Sequence, residues 1–145
     1  MAMKKNVLLI GGAGYVGAIT NKYLQTKGME TVILDNLNTG RRDQIDNTDF
    51  YEGDAIDKLS VSNILCKGNT DTIIYLAGSQ ADFAIGGENE LHKQLTAITN
   101  VLNCMLKFNV RKIIFASCQS VYGTSKETII TENHPQTPFN AYARS

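Results

Sequence analysis

Three glycines, two aspartates, a cysteine and a tyrosine carry the chemistry that this sequence can be read for. "GGAGYVG" places Gly11, Gly14 and Gly17 three residues apart, with Gly12 beside the first. A residue without a Cβ lets the backbone come close to a diphosphate, and the amides at a helix N-terminus donate to it. Gly17 lets that helix lie close to the preceding strand. Asp35 stands 18 residues beyond Gly17, at the end of the next apolar run. There a carboxylate accepts both hydroxyls of an adenosine ribose and repels a 2′-phosphate. The pattern predicts a dinucleotide site that favours NAD over NADP. A purely structural strand-to-helix turn is the alternative that the same glycines would serve.

Asp54 follows a later short strand at the same edge of the expected sheet. It would receive the adenine amino group, or else cap the helix that follows. Ala77 and Gly78 end a further strand, where small side chains leave a cofactor room to cross. Arg41 and Arg42 follow the "NTG" turn; they would soften the preference against a 2′-phosphate if they reached it, and are otherwise surface charge.

At the other end, "NAYARS" carries Tyr142. A phenol ionises near pH ~10, too high for a general base at neutrality. Bringing it to neutrality takes about 4 kcal/mol of preferential interaction with the phenolate, which a lysine one helical turn away and a cationic ring can supply. Cys118 lies in "FASCQSVYG", with Ser117 before it and Ser120 after. A thiol is a weak hydrogen-bond donor, and no neighbouring histidine suggests nucleophilic catalysis. His92 and His134 are isolated and have no metal partners at useful spacing, so no metal site is expected.

These residues need elements to hold them. Val7–Ile10 is a continuous apolar run ended by glycine, which reads as a buried strand. Val16, Ile19, Tyr23 and Leu24 then repeat at helical spacing, and Gly28 closes that helix. Residues 31–35 and 71–78 are further strands, 112–117 is the last, and Asp49–Tyr51 is a short one. Ile56–Leu65 reads as a short helix with Ile56, Leu59 and Ile64 inward. Leu91, Leu95, Ile98, Leu102 and Met105 form the longest helical stripe, after a connection at 79–90. Residues 122–140 read as an irregular loop. Strands alternating with helices predict an α/β fold, a doubly wound parallel sheet covered on both faces.

Composition narrows the function classes. The chain has 145 residues, enough for one domain that buries a sizeable core. Its 14 basic and 14 acidic side chains balance, and no basic run exceeds two, so no nucleic-acid footprint is expected. No stretch approaches the roughly 18 apolar residues of a membrane span. The three cysteines are odd in number and lack metal-like spacing, which suits a reducing compartment and predicts a cytoplasmic protein.

Taken together, Gly11-x-x-Gly14-x-x-Gly17, "LDNL" at 34–37, "GD" at 53–54, "LAG" at 76–78, "SVYG" at 120–123 and Tyr142-x-x-Ser145 resemble the extended short-chain dehydrogenase/reductase family. The likeness covers essentially the whole chain, and "GGAGYVG" followed by "LDNL" points within it to the UDP-glucose 4-epimerase branch. The resemblance implies a Rossmann-type NAD-binding domain over 1–145, incomplete and C-terminally truncated, with the C-terminal substrate domain absent. It implies NAD contacts at Gly11, Gly12, Gly14, Tyr15, Val16, Gly17, Asp35, Asn36, Leu37, Asp54, Ala55, Leu76, Ala77, Gly78, Gln80 and Lys93. Its catalytic tyrosine matches Tyr142, in a Tyr-x-x-x-Lys motif whose lysine would follow Ser145. Its catalytic serine or threonine falls on Cys118, with Ser117 and Ser120 as possible substitutes. An asparagine near the nicotinamide ribose falls at Lys93 or Gln94.

The activity implied is epimerisation of UDP-glucose and UDP-galactose at C4 through a 4-keto intermediate, in a homodimer that takes a UDP-hexose. The 145 residues alone are expected to be inactive and to expose apolar sheet surface. A related dehydratase, decarboxylase or reductase is one alternative, although Gln119-Ser120 lacks the acidic pair that dehydratases tend to carry there. A non-catalytic NAD-binding module is the other.

Overall fold

The apolar runs Val7–Ile10 and Thr31–Asp35 become strands because their residues are buried on both faces of one parallel sheet. The computed structural model describes residues 6–78, 80–125 and 128–145, with 80–86 described in backbone only. The strands are β1 (Asn6–Ile10), β2 (Glu30–Asp35), β3 (Asp49–Glu52), β4 (Thr70–Tyr75) and β5 (Lys112–Phe115), in the order β3-β2-β1-β4-β5. All pairs are parallel, and Leu9 stands opposite Ile33 on one side and Ile74 on the other. The order reverses between β1 and β4. In open α/β sheets, the crevice beyond the carboxyl ends at that point takes ligands.

The helices are α1 (Tyr15–Thr26), α2 (Lys58–Leu65), α3 (Gln80–Phe108) and α4 (Ala141–Arg144). The chain divides into two compact units. One comprises Met1–Gly78 with Thr96–Ala116, and the other Ser79–Leu95 with Ser117–Ser145.

The first unit has a core on each face of the sheet. On one face Leu8, Ile10, Val32, Leu34, Ile73 and Tyr75 pack with Val61, Ile64 and Leu65 of α2, and with Ala97, Val101, Cys104 and Met105 of α3. On the other, Leu9, Ala13, Ile33 and Ile45 pack with Leu24 of α1. Full burial of one such leucine or isoleucine contributes about 1.5–3 kcal/mol.

The helices are where the sequence expected, but the faces they bury match only in part: Leu24, Ile64, Ile98 and Met105 pack on the core as expected, and others do not. Along α1 the buried residues are Gly17 and Asn21, while Val16, Ile19 and Tyr23 are more than half exposed. The helix is turned by two demands stronger than its apolar stripe. Gly17 must pack on the glycine loop, and Asn21 donates to Thr48 Oγ1 (2.9 Å) and accepts from Thr31 Oγ1 (2.6 Å). In α2, Asp57 caps the helix by accepting from Leu59 N at 3.0 Å. That start point sends Val61, Ile64 and Leu65 inward and leaves Ile56 and Leu59 exposed. In α3, Ala97, Val101, Cys104 and Met105 face the core, whereas Leu95 and Leu102 are exposed. The anchor is polar: Asn100 Nδ2 donates to Ile56 O at 2.7 Å. Helical backbone also begins at Gln80, inside the expected connection, and is broken only at Gly87 (φ 50°, ψ −125°).

The face of the sheet under α1 continues past β4. Ile114 extends the row Ile33, Leu9, Ile74 and is 58% exposed.

Candidate active site

The glycine loop leaves β1 and turns into α1 at the carboxyl edge of the sheet. Gly11 N donates to Leu34 O at 2.9 Å, and a Cβ on Gly11 would stand 2.7 Å from Ala77 N. The loop therefore rests directly on the end of β4. A Cβ on Gly17 would meet Gly11 O and lie 2.6 Å from Gly12 Cα, so α1 can start here only without one.

Gly14 is different. Its φ of −72° suits any residue, and a Cβ there would meet only Gly11 O at an ordinary 3.4 Å. Packing inside the protein does not require a glycine at this position. Gly14 is also the N-cap of α1, and no side chain caps that terminus. A bare backbone at the uncapped start of a helix fits a diphosphate, because the free amides and the helix dipole both favour an anion.

Beside the cradle, Asp35 is 8% exposed and holds the loop in place. Its Oδ2 accepts from Ala13 N at 2.9 Å and its Oδ1 from Leu37 N at 2.8 Å. Each oxygen keeps a second acceptor site, which is what two ribose hydroxyls need. Asn36 Nδ2 donates to Asp54 Oδ2 at 2.8 Å, and Asp54 Oδ1 accepts from Ile56 N at 2.9 Å. The helix cap is Asp57, which removes the capping alternative for Asp54. Ala55 is buried next to it.

Neither arginine offers its guanidinium to a 2′-phosphate. Arg41 is paired with Asp43 at 2.7 Å, and Arg42 lies 4.6 Å over the Phe50 ring and donates to Ile45 O. Tyr15 and Val16 are exposed in the first turn of α1, Leu76 and Ala77 are half-buried, and Gly78 is exposed.

The second unit holds the other candidates. Asn140 caps α4 by accepting from Ala143 N at 2.8 Å, and Ala143 is buried. Arg144 of α4 is ion-paired and hydrogen-bonded to Glu88. Tyr142 lies on this turn. Burial first, then the charge and the hydrogen bond of Cys118, hold the Tyr142 phenol above its ordinary range. Cys118 is extended (φ −133°, ψ 158°) and opens the 3-10 turn Gln119–Tyr122, its carbonyl accepting from Val121 N at 3.3 Å. Ser117 is exposed. Ser120 is half-buried, and its carbonyl accepts from Gly123 N. Lys93 Nζ lies 3.2 Å from Glu90 Oε2, on a carboxylate that Gln94 also bonds. The side chain of Gln80 lies outside the described residues.

Asn140, Glu88 and Glu90 were missed. The N-cap preference identifies Asn140, since it immediately precedes a helical "AYAR". Glu88 and Arg144 are 56 positions apart, and no local pattern links them. His134 stands edge-on to Tyr122 at 6.0 Å. Among the described residues no group of three or more His, Cys, Asp or Glu is placed to hold a metal, and no helix is long and apolar enough to cross a membrane.

The model of the "NAD dependent epimerase/dehydratase family" matches residues 7–145. UDP-glucose 4-epimerase of Lacticaseibacillus casei is 34% identical over 146 residues, covering 96% of this chain and 43% of that protein. The enzyme of the same name from Bacillus subtilis is 30% identical, with 96% and 44% covered. Among solved structures, UDP-glucose 4-epimerase from Brucella ovis in complex with NAD superposes with a TM-score of 0.89 at 29% identity, over 97% of this chain and 44% of that one. The Bifidobacterium longum enzyme in complex with NAD+ and UDP gives 0.85 at 31%, over 97% and 45%. The chain thus spans less than half the length of these relatives.

Proposed function

The chain belongs to the NAD dependent epimerase/dehydratase family, and from that premise we propose that its residues serve the NAD-dependent epimerisation of a UDP-hexose at C4, with UDP-glucose and UDP-galactose as the interconverting pair. The observation that carries this reading is Gly14, a glycine that the fold does not need, at an uncapped helix start beside a half-satisfied carboxylate. Gly11, Gly12, Gly14 and Gly17, with the first-turn amides of Tyr15 and Val16, hold the diphosphate. Asp35, supported by Asn36 and Leu37, takes the adenosine ribose. Asp54 and Ala55 take the adenine, and Leu76, Ala77 and Gly78 line the way towards the nicotinamide.

When bound, NAD supplies the ring that accepts a hydride from C4 and gives it back to the other face. The chain's own part is to place that ring and to hold a proton. We assign Gln80 and Lys93 to the nicotinamide side, and the proton of the 4-hydroxyl to Tyr142, with Cys118 against it and Ser117 and Ser120 flanking. A cytoplasmic homodimer acting on the nucleotide-sugar completes the proposal.

A second reading has one observation in its favour. Burial, and then Cys118, hold the Tyr142 phenol above its ordinary range, which suits an NAD-binding module with no turnover. Calorimetric titration of the chain with NAD and NADP tests the part common to both. Heat is expected with NAD, and binding at least about tenfold weaker with NADP, a difference of ~1.4 kcal/mol. No heat with either would remove both readings. Conversion of UDP-galactose by the NAD-loaded protein, present or absent, then decides between them.

A further inference from the structure

The loop after β2 is held more tightly than a connection at the surface needs to be. Leu37 has a φ of 57°, a left-handed backbone that a bulky residue rarely adopts. Its amide donates to Asp35 Oδ1 at 2.8 Å, and its side chain packs on the cluster of Leu9, Ala13, Ile33 and Ile45. Strain of this kind persists only where the surroundings over-determine it, and it gathers at sites that clamp ligands. Four residues on, Arg41 N donates to Ala13 O at 3.0 Å and fastens the loop back onto the glycine cradle.

Between these two fastenings lies Gly40. A Cβ there would stand 2.8 Å from Asp35 Oδ1, 2.9 Å from Ala13 Cβ and 3.0 Å from the Ala13 carbonyl carbon, and the first two are closer than a Cβ tolerates. Gly40 is not among the glycines of positive φ, so close approach, and not a turn, keeps the position bare. Ala13 has nowhere to go, being fully buried. Asp35 is tethered too, because Ala13 N and Leu37 N each bond one of its carboxylate oxygens. A side chain at position 40 therefore lifts the loop away from Ala13, or turns the carboxylate off Leu37 N.

We propose that Gly40 is a positioning residue for Asp35 and, through it, a determinant of the preference for NAD over NADP. That Gly40 fixes the carboxylate follows from the packing; that the carboxylate grips an adenosine ribose rests on the proposed function. Held in place, Asp35 keeps a free acceptor site on each oxygen for the ribose hydroxyls and sets its charge against a 2′-phosphate. The neighbouring cations do not offset that charge, since Arg41 is paired with Asp43 and Arg42 lies over the Phe50 ring. A displaced Asp35 loses both its hold on the ribose and its repulsion of the phosphate, so the two dinucleotides draw together in affinity.

Two measurements on the 145-residue chain test this, and the first needs no cofactor. In Gly40→Ala the Leu37 amide should exchange its proton at least about tenfold faster than in the parent, while amides within β1 stay unchanged. Faster exchange at Arg41 alone would mean that the loop lifts and leaves Asp35 where it was. The second measurement is calorimetric titration with NAD and with NADP. Gly40→Ala should bind NAD at least about tenfold more weakly and NADP no more weakly, so the ratio of the two falls by at least about tenfold. In an Asp35→Ala background, adding Gly40→Ala should change NAD affinity by less than about twofold, because the group it acts through is gone. If Gly40→Ala does not fold, the pair Ala13→Gly and Gly40→Ala replaces it, compared with Ala13→Gly alone; this removes the contact with Ala13 Cβ and leaves Asp35 Oδ1 against the methyl. An unmoved Leu37 amide, an unchanged NAD-to-NADP ratio, or equal losses with and without Asp35 overturns the proposal. No heat from the parent with either dinucleotide overturns the cofactor reading and the preference with it, and Leu37 exchange still decides whether Gly40 positions Asp35.

Discussion

Replacing Gly14 by alanine separates a glycine kept for a ligand from a glycine kept for the fold. At Gly14 the new Cβ would meet only Gly11 O, at 3.4 Å, and the backbone (φ −72°, ψ 171°) is open to any residue. Two small effects on stability then oppose each other. Alanine restricts the unfolded chain, worth about 0.4–1 kcal/mol, and is a poorer N-cap than glycine by a similar amount. The net change should stay within about 1 kcal/mol, which for a chain of this size moves Tm by no more than about 4 °C.

Gly17→Ala should behave in the opposite way. Its Cβ would meet Gly11 O and lie 2.6 Å from Gly12 Cα, both backbone atoms that cannot swing aside. A loss of at least about 3 kcal/mol is expected there. For NAD the order should invert, because in the proposed site the methyl at position 14 would stand where the diphosphate meets the backbone. Losing one charge-assisted hydrogen bond costs about 1.5–3 kcal/mol, so affinity should fall by roughly 10- to 150-fold. Thermal melts and calorimetric titration of the three proteins read both quantities. If Gly14→Ala binds NAD as the parent does, or melts as low as Gly17→Ala, the reasoning about this loop is wrong.

Asn21→Leu should cost about 2–3 kcal/mol in chemical denaturation, because it strips the buried Thr31 hydroxyl of its acceptor and removes the Asn21 donor from Thr48. Tyr75 is buried, and desolvation, helped by Asp54, pushes its phenol up to about 12. The unfolded phenol ionises first, so the stability Tyr75 contributes is intact below pH ~10 and is lost as pH rises towards ~12, by about 3 kcal/mol in all. Tyr75→Phe, which keeps a ring to stack on Phe115, should flatten the alkaline limb of a Tm-against-pH curve; an identical limb would count against the shift. Ile114→Lys should reduce concentration-dependent association, measured by sedimentation velocity, while leaving Tm nearly unchanged, since Ile114 is 58% exposed on the open sheet face.

Much of the fold could be read from the chain because its signals are local. A glycine-ended apolar run such as Val7–Ile10 has few alternatives to a buried parallel strand, and all five strands overlap stretches that the sequence reads as strands. The helices were located for the same reason, but their buried faces only in part: Ile64, Ile98 and Met105 pack inward as expected, whereas Val16, Ile19, Leu59 and Leu102 do not. Periodicity counts apolar residues and cannot weigh a hydrogen bond to a distant partner. Asn21 turns α1 by bonding to Thr48 and Thr31, and Asn100 orients α3 by bonding to the carbonyl of Ile56. Asp54 shows the same limit: its choice between a helix cap and the bond from Asn36 depends on how two separate loops meet.

By itself the sequence determined the parallel α/β architecture, the glycine turn at Gly11–Gly17 between β1 and α1, and Asp35 at the end of β2. Each of these follows from the steric and hydrogen-bonding character of residues close together in the chain. The tertiary structure decided which glycine is spare, which carboxylate oxygens are already used, and where Arg41 and Arg42 spend their charges. Those outcomes are set by distances between groups that the chain brings together only on folding.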